Sequence, residues 1–168
     1  MRDSTGFDEF YAATAPRVVA QVYAMVGDLG EAEDAVQEAY ARAWQRWLRV
    51  GGYADPTAWV RTVAYRIAVS SWRRARSRLI AHERLGATEP AGRLDPDTVA
   101  LVDALRRITP AQRRAVVLHH LVGLSVKEIA EETGDSLSAV KVRLMRGRRA
   151  LAPLLGAELV EEVDNSGR

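Results

Sequence analysis

Three prolines in this chain each follow a residue able to cap a helix: Asp55-Pro56, Asp95-Pro96 and Thr109-Pro110. That pairing constrains the fold more than any other feature of the sequence. The capping side chain accepts a hydrogen bond from an N–H of the first turn, and proline's missing N–H costs nothing at the first helical position. A fourth start, "SVKE" at 125–128, has the pattern of a capping box, with Ser125 and Glu128 each able to satisfy the other's backbone N–H. Gly123 and Gly134 stand where helix C-caps are expected. Alternating β-branched runs are few, so the chain is expected to be all-α.

Periodicity fades between about Ser77 and Leu94, where two glycines, a proline and mixed charge interrupt it. The expected organisation is two small helical domains: 5–76, a linker at 77–94, a second domain at 95–156, and a fraying tail at 157–168. The 168 residues suffice for this arrangement. There is no cysteine, which excludes disulfides, thiolate catalysis and cysteine zinc sites. His119 and His120 are adjacent but lack further ligands nearby, so they are read as structural; no metal or other cofactor is expected. No apolar run approaches the roughly 20 residues of a membrane-spanning helix, and the N-terminus lacks a signal-peptide layout. A cytoplasmic protein without membrane insertion is expected. Nucleophile, metal cluster and phosphate loop are all missing from the pattern, which argues against an enzyme.

The net charge of +2 says little, but its distribution says more. Acidic groups gather at 28–38 with no base among them, whereas basic groups gather at 61–84 and 141–149. Two kinds of partner surface are implied. Along "DLGEAEDAVQEAYARAWQRW", 28–47, Val36, Ala39, Tyr40, Ala43, Trp44 and Trp47 form one face and are expected in the core. The other face carries Asp34, Gln37, Glu38, Ala41, Arg42 and Gln45. Acids in a first turn complement the helix dipole, which explains Glu31, Glu33 and Asp34 but Glu38 less well. An acidic face suits a basic protein surface rather than phosphate.

After Pro56, Val60, Val63, Ala64 and Ile67 form the expected core stripe. Tyr65 and Trp72 lie off it, close to Arg61 and Arg76 and flanked by Arg66 and Arg73. Aromatic rings among arginines can stack unpaired bases while the arginines hold the backbone. The same rings could instead pack beneath another helix.

"SVKEIAEETGDSLSAVKVRLMRGRRAL", 125–151, has the grammar of a helix-turn-helix. Ala130 is small where helices would cross, and Gly134 suits the turn. Ile129, Leu137, Val140, Leu144 and Leu151 are expected to pack the pair together. Ser138, Val142, Met145, Arg146 and Arg149 project away from that stripe, with Lys141, Arg143 and Arg148 on the flanks. Early polar positions would reach base edges, and the later arginines phosphates.

Taken together these segments resemble the extracytoplasmic-function (group 4) sigma factors of bacterial RNA polymerase. "GEAEDAVQEAYARAW" is similar to their region 2.2, "PTAWVRTVAYRIAVSSWRR" to regions 2.3–2.4, and "LRRITPAQRRAVVLHHLVGLSVKEIAEETGDSLSAVKVRLMRGRRAL" to region 4. The resemblance runs from roughly Phe7 to Leu155. It implies that Asp34, Gln37 and Glu38 dock on the β′ clamp helices of core polymerase. It further implies that Arg61, Tyr65, Arg66, Trp72, Arg73 and Arg76 open and hold the −10 strand. Ser138, Lys141, Val142, Arg143, Arg146 and Arg149 would read the −35 duplex, with the β flap touching region 4. The linker would thread toward the active-site and RNA-exit channels, and an anti-sigma protein is a further candidate partner. Relatives often carry Asn and Asp where this chain has Arg66 and Ser70, and "GTVKSRL" where it has "SAVKVRL", so promoter sequence is not implied. The competing readings are a stand-alone helix-turn-helix regulator with a sensor domain and an inactive decoy for an anti-sigma protein. The first is disfavoured by the wholly helical N-terminal half.

Overall fold

The structure, a computed structural model, describes residues 4–79 and 94–155. Most of the expected linker and the expected tail lie outside the described residues. All regular structure among the described residues is helical: α1 (Ser4–Val26), α2 (Leu29–Gln45), α3 (Trp47–Val50), α4 (Pro56–Leu79), α5 (Pro96–Arg106), α6 (Pro110–His120), α7 (Val126–Thr133) and α8 (Leu137–Leu155). The chain divides into two compact units, Met1–Ala91 and Gly92–Arg168. Helix α4 continues to Leu79, past the expected start of the linker at 77.

The helix starts form as their sequences dictate. Asp55 accepts from the N–H of Ala58 at 3.0 Å and Asp95 from that of Thr98 at 2.9 Å. Thr109 with Gln112, and Ser125 with Glu128, close full capping boxes. Asp28 belongs to the same class: it caps α2 by accepting from the N–H of Glu31 at 2.9 Å.

In the first unit α1, α2 and α4 pack on one another. Alanines let them approach closely: Ala32, Ala35, Ala39 and Ala43 on α2 and Ala64 and Ala68 on α4 are buried, alongside Val18, Val22, Val36 and Val60. The aromatic side of α2, with Trp47 just beyond it, meets α1; Tyr40 is buried as expected of the whole face, whereas Trp44 and Trp47 are half-buried. Phe7 lies 5.1 Å from Trp44 between ring centroids, Phe10 5.1 Å from Trp47, and Tyr11 4.9 Å from Tyr40. Inside this layer Tyr40 Oη and Thr14 Oγ1 share a 2.6 Å hydrogen bond. Burial raises the Tyr40 pKa above the ordinary tyrosine value, against the opposing effect of that bond. The helix breaks at Arg46, so Trp47 opens α3 rather than ending α2.

The second unit packs α5, α6 and α7 on α8. Val102, Leu105, Ile108, Val116, Val117, Leu118, Ile129, Val140, Leu144 and Leu151 are buried. Arg113 ties the α5–α6 turn, its Nε donating to the carbonyl of Leu105 at 2.9 Å. Gly134 ends α7 at φ 75°, the left-handed conformation that glycine adopts at little cost. Leu137 departs from expectation. It is 51% exposed, because the first residue of α8 extends beyond the helices that cover Val140 and Leu144.

Candidate polymerase and promoter interfaces

Helix α2 presents Asp34, Gln37, Glu38, Ala41, Arg42 and Gln45 to solvent, opposite its buried alanine and valine stripe. Glu31 does not belong to this face. It is half-buried and accepts from Ser71 Oγ of α4 at 3.3 Å, tying two core helices together. Nor is Glu38 uncompensated, since its carboxylate pairs with Arg42 Nε at 2.9 Å across one helical turn. The pair is exposed, so it contributes only about 0–1 kcal/mol and can open to meet another cation. Beside Gln37 and Ala41 runs an apolar groove of about 410 Å³, lined also by Phe7, Asp8, Tyr11, Tyr40 and Trp44. The groove was not legible beforehand, because its walls come from two helices separated in sequence.

On α4 the expected strand-facing residues divide. Trp72 is 54% exposed, with the Arg76 guanidinium 5.2 Å from its ring centroid. Arg66 and Arg73 are exposed, and Tyr65 is half-buried. Arg61 is different: it is only 3% exposed. Its long side chain is covered, unlike those of Arg66 and Arg73, so the structure does not bring Arg61 onto the same open surface. Ser70 is held by Arg74, whose Nη2 donates to Ser70 Oγ at 3.4 Å.

The α7–turn–α8 segment has helix-turn-helix geometry. The N–H of Ala139 donates to Ser136 Oγ at 3.1 Å, capping α8, a start signal unnoticed in the serine-rich turn. Ser138, Lys141, Val142, Arg146 and Arg149 are all exposed, as is Met145. Arg143 is not part of the open face. It is half-buried and ion-paired with Asp135, which fixes the turn to the helix. Burial alone would raise the Asp135 pKa, but hydrogen bonds from Thr133 and Arg143 prevail and hold it below the usual carboxylate range.

The sequence matches the family Sigma-70 region 2 over residues 10–78 and the family Sigma-70, region 4 over residues 98–151. It is 30% identical to the ECF RNA polymerase sigma factor SigK of Mycobacterium sp. strain KMS, an alignment covering 92% of this chain and 86% of the relative. The chain belongs to the extracytoplasmic-function sigma factors. Another relative, the ECF RNA polymerase sigma factor BldN of Streptomyces coelicolor, is 33% identical over 91% of this chain and 61% of its own. Among solved structures, the sigma factor RpoE from Bartonella quintana, crystallised with the anti-sigma factor NepR, shares the fold. Its TM-score is 0.75 at 24% identity, over 89% of this chain and 96% of that one.

As a sigma factor the protein works with RNA polymerase in promoter recognition and is not an enzyme. The region 2 match falls within α1 to α4, and the region 4 match within α5 to α8. Among the described residues no helix is long and apolar enough to cross a membrane.

Within region 4 of this sigma factor the two histidines have structural work. His119 Nδ1 lies 2.7 Å from the carbonyl of Leu124 and so carries the proton of that bond. His120 Nε2 accepts from Arg148 Nε at 3.1 Å. Burial, then the charge of Arg148 and the proximity of His119, push the His120 pKa down to about 4, which keeps the ring neutral and able to accept. Sequence reading also missed Gly147. It is buried in the middle of α8, where a Cβ would stand 2.8 Å from Val116 Cγ2 of α6.

Proposed function

We propose that this sigma factor divides its two partners between separate surfaces of its own helices. The exposed Asp34, Gln37 and Glu38 of α2 meet the clamp helices of the polymerase β′ subunit, and the adjacent apolar groove adds contact area. Trp72 with Arg66, Arg73 and Arg76 receives the non-template strand of the −10 element after melting, and Tyr65 supports that ridge. Helix α8 enters the −35 major groove with Ser138, Lys141, Val142, Arg146 and Arg149, while region 4 leans on the β flap. The linker passes toward the active-site and RNA-exit channels, and the protein acts in the cytoplasm. An anti-sigma protein regulating this chain would cover the α2 face and so compete with polymerase.

The observation that carries the proposal is the sorting of exposed charge within the first unit. Asp34, Glu38 and two amides occupy the open face of α2, where the one base, Arg42, is paired with Glu38, and arginines with an exposed indole occupy α4. Only the second surface attracts phosphate. A stand-alone regulator with a sensor domain gains no support, since the first unit matches sigma region 2 over most of its length. The test is core-polymerase affinity of Glu38→Arg, measured by fluorescence titration. A loss of at least tenfold, with promoter contacts unaltered once holoenzyme is saturated, is expected. Unchanged affinity would remove α2 from the docking surface.

A further inference from the structure

The open face of α8 is not uniformly polar. Val142 is 39% exposed and Met145 50% exposed, and both project opposite the buried stripe of Val140, Leu144, Gly147 and Leu151. Ser138, Lys141, Arg146 and Arg149 surround them and are exposed as well. Folding buries these two apolar side chains only in part. Val142 also has lower helix propensity than the lysine or arginine its neighbours carry, so the site gives up helix stability for partial burial. An apolar pair at the centre of a cationic, groove-facing surface has a natural ligand in duplex DNA: the thymine 5-methyl group. It is the one apolar feature that base edges display in the major groove.

We propose that Val142 and Met145 are specificity-determining residues that read thymine methyl groups in the upstream promoter element. The proposal rests on the assignment of α8 to the −35 duplex. Residues three apart on a helix are separated by about 4.5 Å along its axis, against about 3.4 Å between successive base pairs, so the two side chains address methyls one or two steps apart. Selectivity follows from what other bases present there. Cytosine would place an N4 donor, and guanine its O6 and N7 acceptors, against side chains that cannot hydrogen-bond, leaving polar groups desolvated and unpaired. Lys141, Arg146 and Arg149 supply phosphate attraction that is indifferent to sequence.

The test uses holoenzyme formed from the full chain and core polymerase. Duplexes carrying a randomised upstream element are first enriched by binding, and each thymine of the selected element is then replaced singly by uracil, which removes only the methyl. At one or two positions uracil should weaken closed-complex binding about fourfold, the equivalent of one buried methyl. Val142→Ala and Met145→Ala should each abolish the uracil penalty at one position, and alanine keeps the helix intact. Arg149→Ala should weaken thymine and uracil duplexes alike. Equal binding of thymine and uracil duplexes by the unaltered protein overturns the proposal, as does a full penalty persisting in both alanine variants. If scrambling the whole upstream element changes nothing, the duplex assignment of α8 has failed and the proposal fails with it. If scrambling weakens binding while uracil does not, the methyl reading alone is overturned.

Discussion

Gly147→Ala isolates one contact that sets the position of α8 against α6. The added Cβ would lie 2.8 Å from Val116 Cγ2 and 3.5 Å from Gln112 Cβ. Carbon atoms rest at about 3.5–4.0 Å, so the first distance is short by roughly 0.7 Å or more. Val116 is 5% exposed, and a β-branched side chain in a helix has essentially one χ1 rotamer, so it cannot turn aside. The helices must therefore part. Overpacking of this kind costs about 1–3 kcal/mol, while alanine in place of a mid-helix glycine returns about 1 kcal/mol. The net is a loss of about 1 kcal/mol, which in a domain of this size lowers Tm by about 4–8 °C. Thermal unfolding of the full chain, with hydrogen exchange reporting on α6 and α8, measures it. Val116→Ala should cost less in the Gly147→Ala background than in the unaltered protein, a coupling on the order of 1 kcal/mol between the two sites. On the proposed assignment of α8 to the upstream duplex, binding of that element should weaken along with stability. A higher Tm for Gly147→Ala would refute the reasoning, since it would mean that α6 and α8 have room for a methyl at this crossing.

His120 makes region 4 sensitive to acid. Its pKa falls from 6.5 in the unfolded chain to about 4 in the fold, so the unfolded state binds more protons between those values. The resulting stability is present above pH 6.5 and is lost as pH falls toward 4; His120→Gln should flatten that part of the stability–pH curve. Arg61 and Arg66 should behave oppositely. Arg61→Ala is expected to destabilise region 2 by about 1–3 kcal/mol through lost packing, whereas Arg66→Ala should leave Tm within about 1 °C and weaken promoter binding. Trp72→Ala should reduce open-complex formation, followed by permanganate footprinting, well beyond its effect on closed-complex affinity. An equal loss in both would remove the indole from strand holding.

Much of the helix layout and of the exposure pattern was legible because its signals are local. A cap needs only a side chain and an N–H three residues along, so Asp55, Asp95, Thr109 and Ser125 could be read from their own neighbourhoods. The open face of α2 and most of the open face of α8 follow from helical periodicity in the same way. The differences in burial share a cause. Arg61 and Arg66 are both arginines on α4, and periodicity placed both near the aromatic ridge, yet only packing of α4 against its neighbours decides that Arg61 is covered. Arg143 looked like one more basic group until the turn brought Asp135 against it. Leu137 fitted the apolar stripe in angle but lies too near the helix end to be covered.

The sequence by itself determined where most of the helices begin, that two helical units form, and which helix carries acid and which carries base. Each of those depends on residues within a turn or two of one another, and backbone hydrogen bonding and helical periodicity act at that range. Tertiary structure alone decided which side chains remain open to a partner, that Gly147 must be small, and that an aromatic groove lies beside the acidic face. Those outcomes depend on which helices touch and how closely, and close packing settles them between residues that lie far apart in the chain.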